Sequence, residues 1–305
     1  MNKQISIGVD IGGSHISAAA VDLESGCMID HTYTQLSVDN QASASVIMNQ
    51  WADCLREVME KAEIEFPIGI GFAMPGPFDY VNGISLIEGV CKYDNLYGLN
   101  VKQAIVTALN LKNEVPVRFI NDASAFAIGE AWSGAAKNTY RSIAITLGTG
   151  FGSAFMIDGV PQSHGDNIPK NGWVYCLPFG DSIADDSFST RWFIKRFKKI
   201  TGEQVAGVWE IAERARKNKN DRSIFTEFGM NLAVFLTPLL KKFNAEVLVI
   251  GGNIPGAYDL FGPALVNQLK KENIETQICI SELKDNAAIL GSARLADSLF
   301  WEKLK

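Results

Sequence analysis

The chain has 305 residues, 47% of them hydrophobic, enough to bury a large core as two domains or one large one. A net charge of −6 and a pI near 5.2 argue against nucleic acid or an anionic membrane as the main partner and favour a small molecule. Cys27, Cys54, Cys91, Cys176 and Cys279 stand singly, so neither a disulfide framework nor a Cys-x-x-Cys zinc knuckle can be read from them, and a reducing cytoplasm is the expected setting. A strand pattern begins by Ile5, leaving no room for a signal peptide, and no apolar run approaches the roughly 18 residues that span a bilayer.

Ile5, Ile7 and Val9 mark one strand and Ile16 to Val21 a second, with Gly12-Gly13-Ser14 as the turn of a hairpin. Paired glycines leave backbone N–H groups open to a polyanion, although an ordinary hairpin turn reads the same way and the P-loop pattern GxxxxGK[ST] is absent. A third strand is expected around Met28 to Leu36. The spacing of Ile47, Trp51, Leu55, Val58 and Ala62 predicts an amphipathic helix over 42–64. A strand from Ile68 to Met74 then ends in the rigid turn Pro75-Gly76-Pro77. Phe78 to Leu99 is irregular and rich in Gly, Asn, Asp and Tyr; such stretches often line substrate sites, although solvated loop is the plainer reading of any one residue there, Asn95 included.

The stretch from Val117 to Glu130, VRFINDASAFAIGE, runs an apolar strand into Asn121-Asp122 and then into a small-residue helix. That places the pair at the carboxyl end of a strand, where α/β proteins bind ligands. Asp122 is the candidate reactive carboxylate; a simple helix N-cap is the competing reading. Glycine turns on either side, Asp10 to Ser14 and Leu147 to Gly152, point to phosphoryl transfer.

From Arg141 the order repeats: strand Ser142 to Leu147, glycine turn 148–152, strand Ser153 to Ile157. The repeat predicts two domains of like topology whose glycine turns face each other across a cleft. Helices are expected over 186–199, 205–217 and 221–243, with their Lys and Arg clusters as solvated faces. A buried strand from Glu246 to Ile250 runs into Gly251-Gly252-Asn253, where a flat ring can approach the backbone, which suggests an adenine site. Ala287 to Leu299 reads as a final helix opened by Asp285-Asn286.

IGVDIGGSHISAAAVD, GIGFAMPGPFD, FINDASAFAIGE, ITLGTGFGSAFMIDG, VLVIGGNIPGA and AAILGSARLA together resemble the ROK family of sugar kinases, within the actin, hexokinase and Hsp70 ATPase superfamily. The resemblance implies an α/β fold with two domains of actin-like ATPase (ribonuclease H-like) topology and an active-site cleft between them. Residues 1–120 would form the N-terminal domain, with the sugar side and first phosphate loop, and 121–305 the nucleotide side, its last helix packing back on the first domain. It implies ATP- and Mg²⁺-dependent phosphorylation of a hexose hydroxyl in a homodimeric cytoplasmic enzyme. Asp122 would be the base, and Asn121, with Gly76 and Asn95, would bind the sugar. Asp10 would place Mg²⁺ through water, with Gly12, Gly13, Ser14, Gly148, Thr149 and Gly150 at the phosphates and Gly251, Gly252 and Asn253 at the adenosine.

Two of the family's segments are missing, GExGH and the zinc motif CxCGxxGCxE. Gly172 to Cys176 falls on GExGH, putting Trp173 in place of the Glu and Cys176 in place of the His, and Asp185 falls on the Glu of GCxE. Trp173, Cys176 and Asp185 are therefore candidate substrate residues. The Trp173 ring would stack on a sugar face or cover an N-acyl group, or else face the core. No zinc is expected, since His164 with Cys176 supplies at most two ligands. The loop from Cys176 to Arg191 should instead be held by apolar packing through Ile183, Phe188 and Trp192. A sugar-sensing regulator is one alternative, although ROK repressors carry an N-terminal winged helix and here the first phosphate motif already begins at Asp10. A kinase-like protein that only binds a ligand is the other.

Overall fold

A computed structural model of the chain describes residues 4–89 and 92–305. Val90 and Cys91, inside the stretch expected to be irregular, lie outside the described residues. The chain divides into two compact units, Met1–Gly134 with Asp285–Lys305, and Ala135–Lys284.

In the first unit the strands β1 (Ile5–Ile11) and β2 (His15–Asp22) form the expected hairpin around the glycine turn. The expected third strand is two pieces, β3 (Cys27–Met28) and β4 (Thr34–Ser37), both paired to β2. It breaks because the Thr32 hydroxyl, not a strand carbonyl, accepts the Ala20 N–H at 2.9 Å. Helix α1 (Ala44–Lys61) follows, and buries Ile47, Trp51, Leu55 and Val58 in this unit's core. Next come β5 (Ile70–Met74), a small hairpin of β6 (Phe78–Asp79) and β7 (Ile84–Ser85) in the stretch expected to be irregular, and α2 (Val101–Ala108). Asn100 caps α2, accepting the Gln103 N–H at 2.8 Å. The run ends with β8 (Val117–Asn121) and α3 (Asp122–Ser133). Sheet order is β3-β2-β1-β5-β8, with β1, β5 and β8 parallel. Ala73 lies opposite Asp10 and Met74 opposite Asn121, so both candidate residues stand at the carboxyl ends of parallel strands on either side of β5.

The second unit repeats the plan. Strands β9 (Arg141–Leu147) and β10 (Phe151–Ile157) form a glycine-turn hairpin extended by β11 (Val160–Gln162). A small hairpin, β12 (Pro178–Phe179) and β13 (Ser182–Ile183), leads into the helices α4 (Ala184–Ser187), α5 (Thr190–Thr201), α6 (Val208–Ala215) and α7 (Lys219–Phe243). Strand β14 (Val247–Gly251), helix α8 (Tyr258–Lys271) and strand β15 (Gln277–Ile280) complete the unit. The order β11-β10-β9-β14-β15 matches the first sheet, hairpin first and parallel strands after it. Phe188 is fully buried against Phe151, Phe179, Phe228 and Phe235, and Trp192 packs on Phe228. Ile183 was expected to share that packing, but on its two-residue strand it is 38% exposed. By length and composition α7 alone among the described helices could cross a membrane, a test that the core helix of a globular protein also passes. Its apolar residues go to the core, with Phe225, Phe228, Leu232 and Leu236 fully buried.

The chain then returns to the first unit as α9 (Asn286–Ala293) and α10 (Ser298–Lys303). The single final helix expected here is broken at Asp297, whose carboxylate caps α10 by accepting the Leu299 N–H at 2.8 Å. Helices α3 and α9 cross with backbones touching: a Cβ on Gly129 would stand 1.9 Å from the Ala287 carbonyl oxygen, and one on Gly291 1.8 Å from that of Ala125. This crossing ties α3 to the first unit, so the boundary expected after residue 120 falls after Gly134.

Candidate functional site

The first unit gathers its chemistry where β1 and β8 end. Asn121 is the N-cap of α3: its Oδ1 accepts from the N–H groups of Ala123 and Ser124, at 3.1 and 3.3 Å. Its Nδ2 donates to Asp122 Oδ1 at 2.9 Å. Asp122 is therefore the first helical residue rather than the cap, and its Oδ2 accepts no hydrogen bond among the described residues. Burial pushes the Asp122 carboxyl upward against the lowering effect of the Ala123 N–H and the Asn121 amide. The side chain is still exposed to water, which damps that shift. The Tyr80 hydroxyl donates to the Met74 carbonyl at 3.2 Å and accepts from Asn121 at 3.4 Å; it also lies 3.3 Å from where a Gly76 Cβ would be.

Asp10 is pushed up to about 7, first by burial and then by the charges of Asp122 and Asp285. The charges of two carboxylates thus act on a third, and no donor among the described residues hydrogen-bonds the Asp10 side chain. Such a donor set fits a hydrated divalent cation, with Asp10 the main anchor. Among the described residues no three His, Cys, Asp or Glu side chains are gathered closely enough to hold a metal by themselves, so water and a ligand would complete the shell.

The turn Gly12-Gly13-Ser14 has its carbonyls occupied from outside. The Tyr93 hydroxyl donates to Gly12 O at 2.8 Å, the Asn40 amide donates to Gly13 O, and Val38 N–H donates to Ser14 O at 2.9 Å. The His15 ring covers Gly12 so closely that a Cβ there would meet it at 2.5 Å. The N–H groups of Gly13 and Ser14 donate to nothing among the described residues, and the turn presents donors only. Asn95 spends its amide on the carbonyls of Gln41 and Ala42, both at 2.9 Å, which leaves only its oxygen for a ligand.

The second turn is built alike. Gly148 O accepts from the N–H and hydroxyl of Thr190, at 2.8 and 3.0 Å, and Thr149 O accepts from Arg191 at 2.8 Å, while the N–H groups of Thr149 and Gly150 have no acceptor among the described residues. Asp185 shapes this turn: Oδ1 accepts the Phe151 N–H at 2.7 Å and Oδ2 pairs with Arg191. Both its oxygens thus hold this loop, and each keeps acceptor capacity for a further donor. Gly252, at φ +85°, lies against the same hairpin, and a Cβ there would stand 2.4 Å from the Leu147 carbonyl oxygen. Beside Asn253 opens a cavity of about 460 Å³ lined by Thr190, Val208, Trp209, Arg216 and Gly256, with Trp209 69% exposed. Thr190 thus joins the cavity to the glycine turn, leaving room for a ring at one end and a polyanion at the other. Trp173 is half-buried, leans on Tyr175 with ring centroids 6.0 Å apart, and belongs to neither large core cluster; Cys176 is exposed. His164 lies exposed, bonded to the Ser163 hydroxyl.

Asp285, Tyr80, Tyr93, Asn40, Thr190, Arg191 and Trp209 were not read as site residues from the sequence. Asp285 had a signal, an acidic residue opening a small-residue helix, but it reads equally as a helix start.

The ROK family model matches residues 6–298. The chain belongs to the ROK family. A ROK relative, the glucokinase of Thermotoga maritima, is 26% identical over 97% of this chain and 98% of its own length. The N-acetyl-D-glucosamine kinase of Mannheimia succiniciproducens is 25% identical over 94% of this chain and 98% of its own. The ROK family glucokinase from Streptomyces griseus, solved with glucose and AMPPNP, superimposes with a TM-score of 0.75 at 21% identity, over 95% of this chain and 98% of that one. That likeness shows the shared ROK fold.

Proposed function

We propose that this protein is a sugar kinase that moves the terminal phosphoryl group of ATP to a hexose hydroxyl. The observation that carries the reading is the Asp122 carboxylate, oriented through Oδ1 by Asn121 and free at Oδ2, next to Asp10 and Asp285. A sugar hydroxyl is a weak nucleophile, so Asp122 Oδ2 accepts its proton as the new O–P bond forms and the bond from phosphorus to the departing diphosphate breaks. Asn121 fixes the carboxylate in line, and an upward-shifted pKa makes Asp122 a stronger base than an ordinary carboxylate. Asp10 would hold Mg²⁺ through water with Asp285 beside it, and the bound ion would offset charge on the phosphates. In the second unit the cavity beside Asn253 takes the base and ribose, and the Thr149 and Gly150 N–H groups take phosphate oxygens. The sugar kinases among the relatives support the same reading.

Trp173 replaces an acceptor with an aromatic surface, which suits a substrate bearing an apolar group, such as an N-acylhexosamine, better than plain glucose. The test is ADP release from Mg-ATP across hexoses and N-acylhexosamines, with Asp122→Asn as control. Sugar-dependent ADP release that the substitution abolishes is expected; no release with any sugar would overturn the proposal.

A further inference from the structure

A lysine lies on the first glycine turn. A Cβ built on Gly13 would stand 2.9 Å from Lys92 Nζ, with the side-chain carbons of Lys92 following at 3.2 and 3.5 Å. The Lys92 side chain is therefore laid along Gly13, whose N–H, with that of Ser14, has no acceptor among the described residues. The next residue holds it there. Tyr93 is 1% exposed, has a left-handed φ of 58°, donates its N–H to Asn40 O at 3.0 Å, and donates its hydroxyl to Gly12 O at 2.8 Å. Asn40 closes the ring by donating to Gly13 O. Lys92 is itself exposed and forms no ion pair among the described residues. An ammonium and two N–H groups that have no partner among the described residues, on one turn whose carbonyls are all occupied, make a receptor for a tetrahedral oxyanion.

We propose that Lys92 binds the terminal phosphoryl group of the donor nucleotide on the Gly13-Ser14 turn and follows it through transfer. The inference rests on the kinase reading above, and deepens it by giving this turn its own cation. The lysine contributes no proton transfer: Asp122 takes the hydroxyl proton, and Lys92 donates hydrogen bonds to the non-bridging oxygens as charge builds on them. A side chain at Gly13 would displace the flexible end of Lys92 from this turn.

The test compares wild type, Lys92→Met and Lys92→Arg. Since a charge-assisted hydrogen bond is lost, AMPPNP should bind Lys92→Met about 10- to 100-fold more weakly while ADP binds it unchanged. With the sugar that wild type uses, kcat should fall with little change in sugar KM, and Lys92→Arg should restore much of both. A separate arm needs no kinase activity: inorganic phosphate, against chloride of equal ionic strength, should raise the melting temperature of wild type and Lys92→Arg but not of Lys92→Met. If no sugar is phosphorylated, the kinase reading falls and the phosphate arm still judges Lys92. Equal losses for ADP and AMPPNP, or a Lys92→Met protein that keeps both the phosphate effect and wild-type kcat, would overturn the assignment.

Discussion

Asn121 does two jobs with one amide: its oxygen caps α3 through Ala123 and Ser124, and its nitrogen holds Asp122 Oδ1 at 2.9 Å. Asp122 Oδ1 also accepts the Ala123 N–H at 2.8 Å, a bond that an Asn oxygen can keep, so removing the Asp122 charge should leave α3 intact. Asp122→Asn is expected to keep nucleotide binding and melting temperature while turnover falls about 10²-fold or more. Asn121→Ala should instead cost about 1 kcal/mol of stability and lower turnover as well. Near wild-type turnover by Asp122→Asn would reduce Asp122 to a structural residue.

Asp10 links pH to stability. Its ordinary value is 3.8 and its folded value about 7, so the folded state holds the extra proton between them. Stability is then full below the unfolded value and is lost as pH rises through about 7. Asp10→Asn removes the penalty. Its melting temperature should exceed that of wild type at pH 8, with the gap closing toward pH 4, while phosphotransfer disappears. Mg²⁺ should stabilise wild type more at pH 8 than at pH 5 and leave Asp10→Asn unaffected. Thermal melts over that range decide it, and a pH-independent gap would contradict it.

Asp185 separates two roles by kinetics. As the anchor of the Phe151 N–H and Arg191, Asp185→Ala should raise the ATP KM by about 10-fold or more and leave sugar KM nearly unchanged. A rise confined to sugar KM would return Asp185 to the substrate.

Trp173→Ala should change the ratio of kcat/KM between N-acylhexosamines and unmodified hexoses, because the half-exposed ring is not part of either large core cluster. A uniform loss of stability with an unchanged ratio would assign the ring to packing alone. Metal analysis of purified protein should find no stoichiometric zinc, since Cys176 is exposed and without companion ligands among the described residues.

Local chemistry was legible. The two glycine-turn hairpins announce themselves by apolar runs closing on glycine, and β5, β8 and β14 by short apolar runs ending at Met74, Asn121 and Gly251, whereas the two-residue hairpins β6–β7 and β12–β13 and the half-exposed strand β15 carry no such run. The Asn121-Asp122 pair stood out because it ends such a run. Helix α8 was missed because Gly262-Pro263 inside it reads as a turn. The loop contacts of Asp185 were not legible because alignment to a motif gives a position, whereas the Phe151 N–H and Arg191 are brought to it only by the fold. The influence of Asp285 on Asp10 was not legible either: it comes from α9 packing on β1, a contact between distant parts of the chain.

That crossing also dictates an order of assembly. The second unit, Ala135–Lys284, is continuous, whereas the first must wait for residues beyond 284 before Gly129 and Gly291 can meet their partners. During synthesis the inserted unit can therefore condense while the first still lacks α9 and α10. A stop before α9 would leave Asp122 in place but remove Asp285 and the helix that packs on α3 and β1, so the first unit should stay incompletely folded while the second can still form.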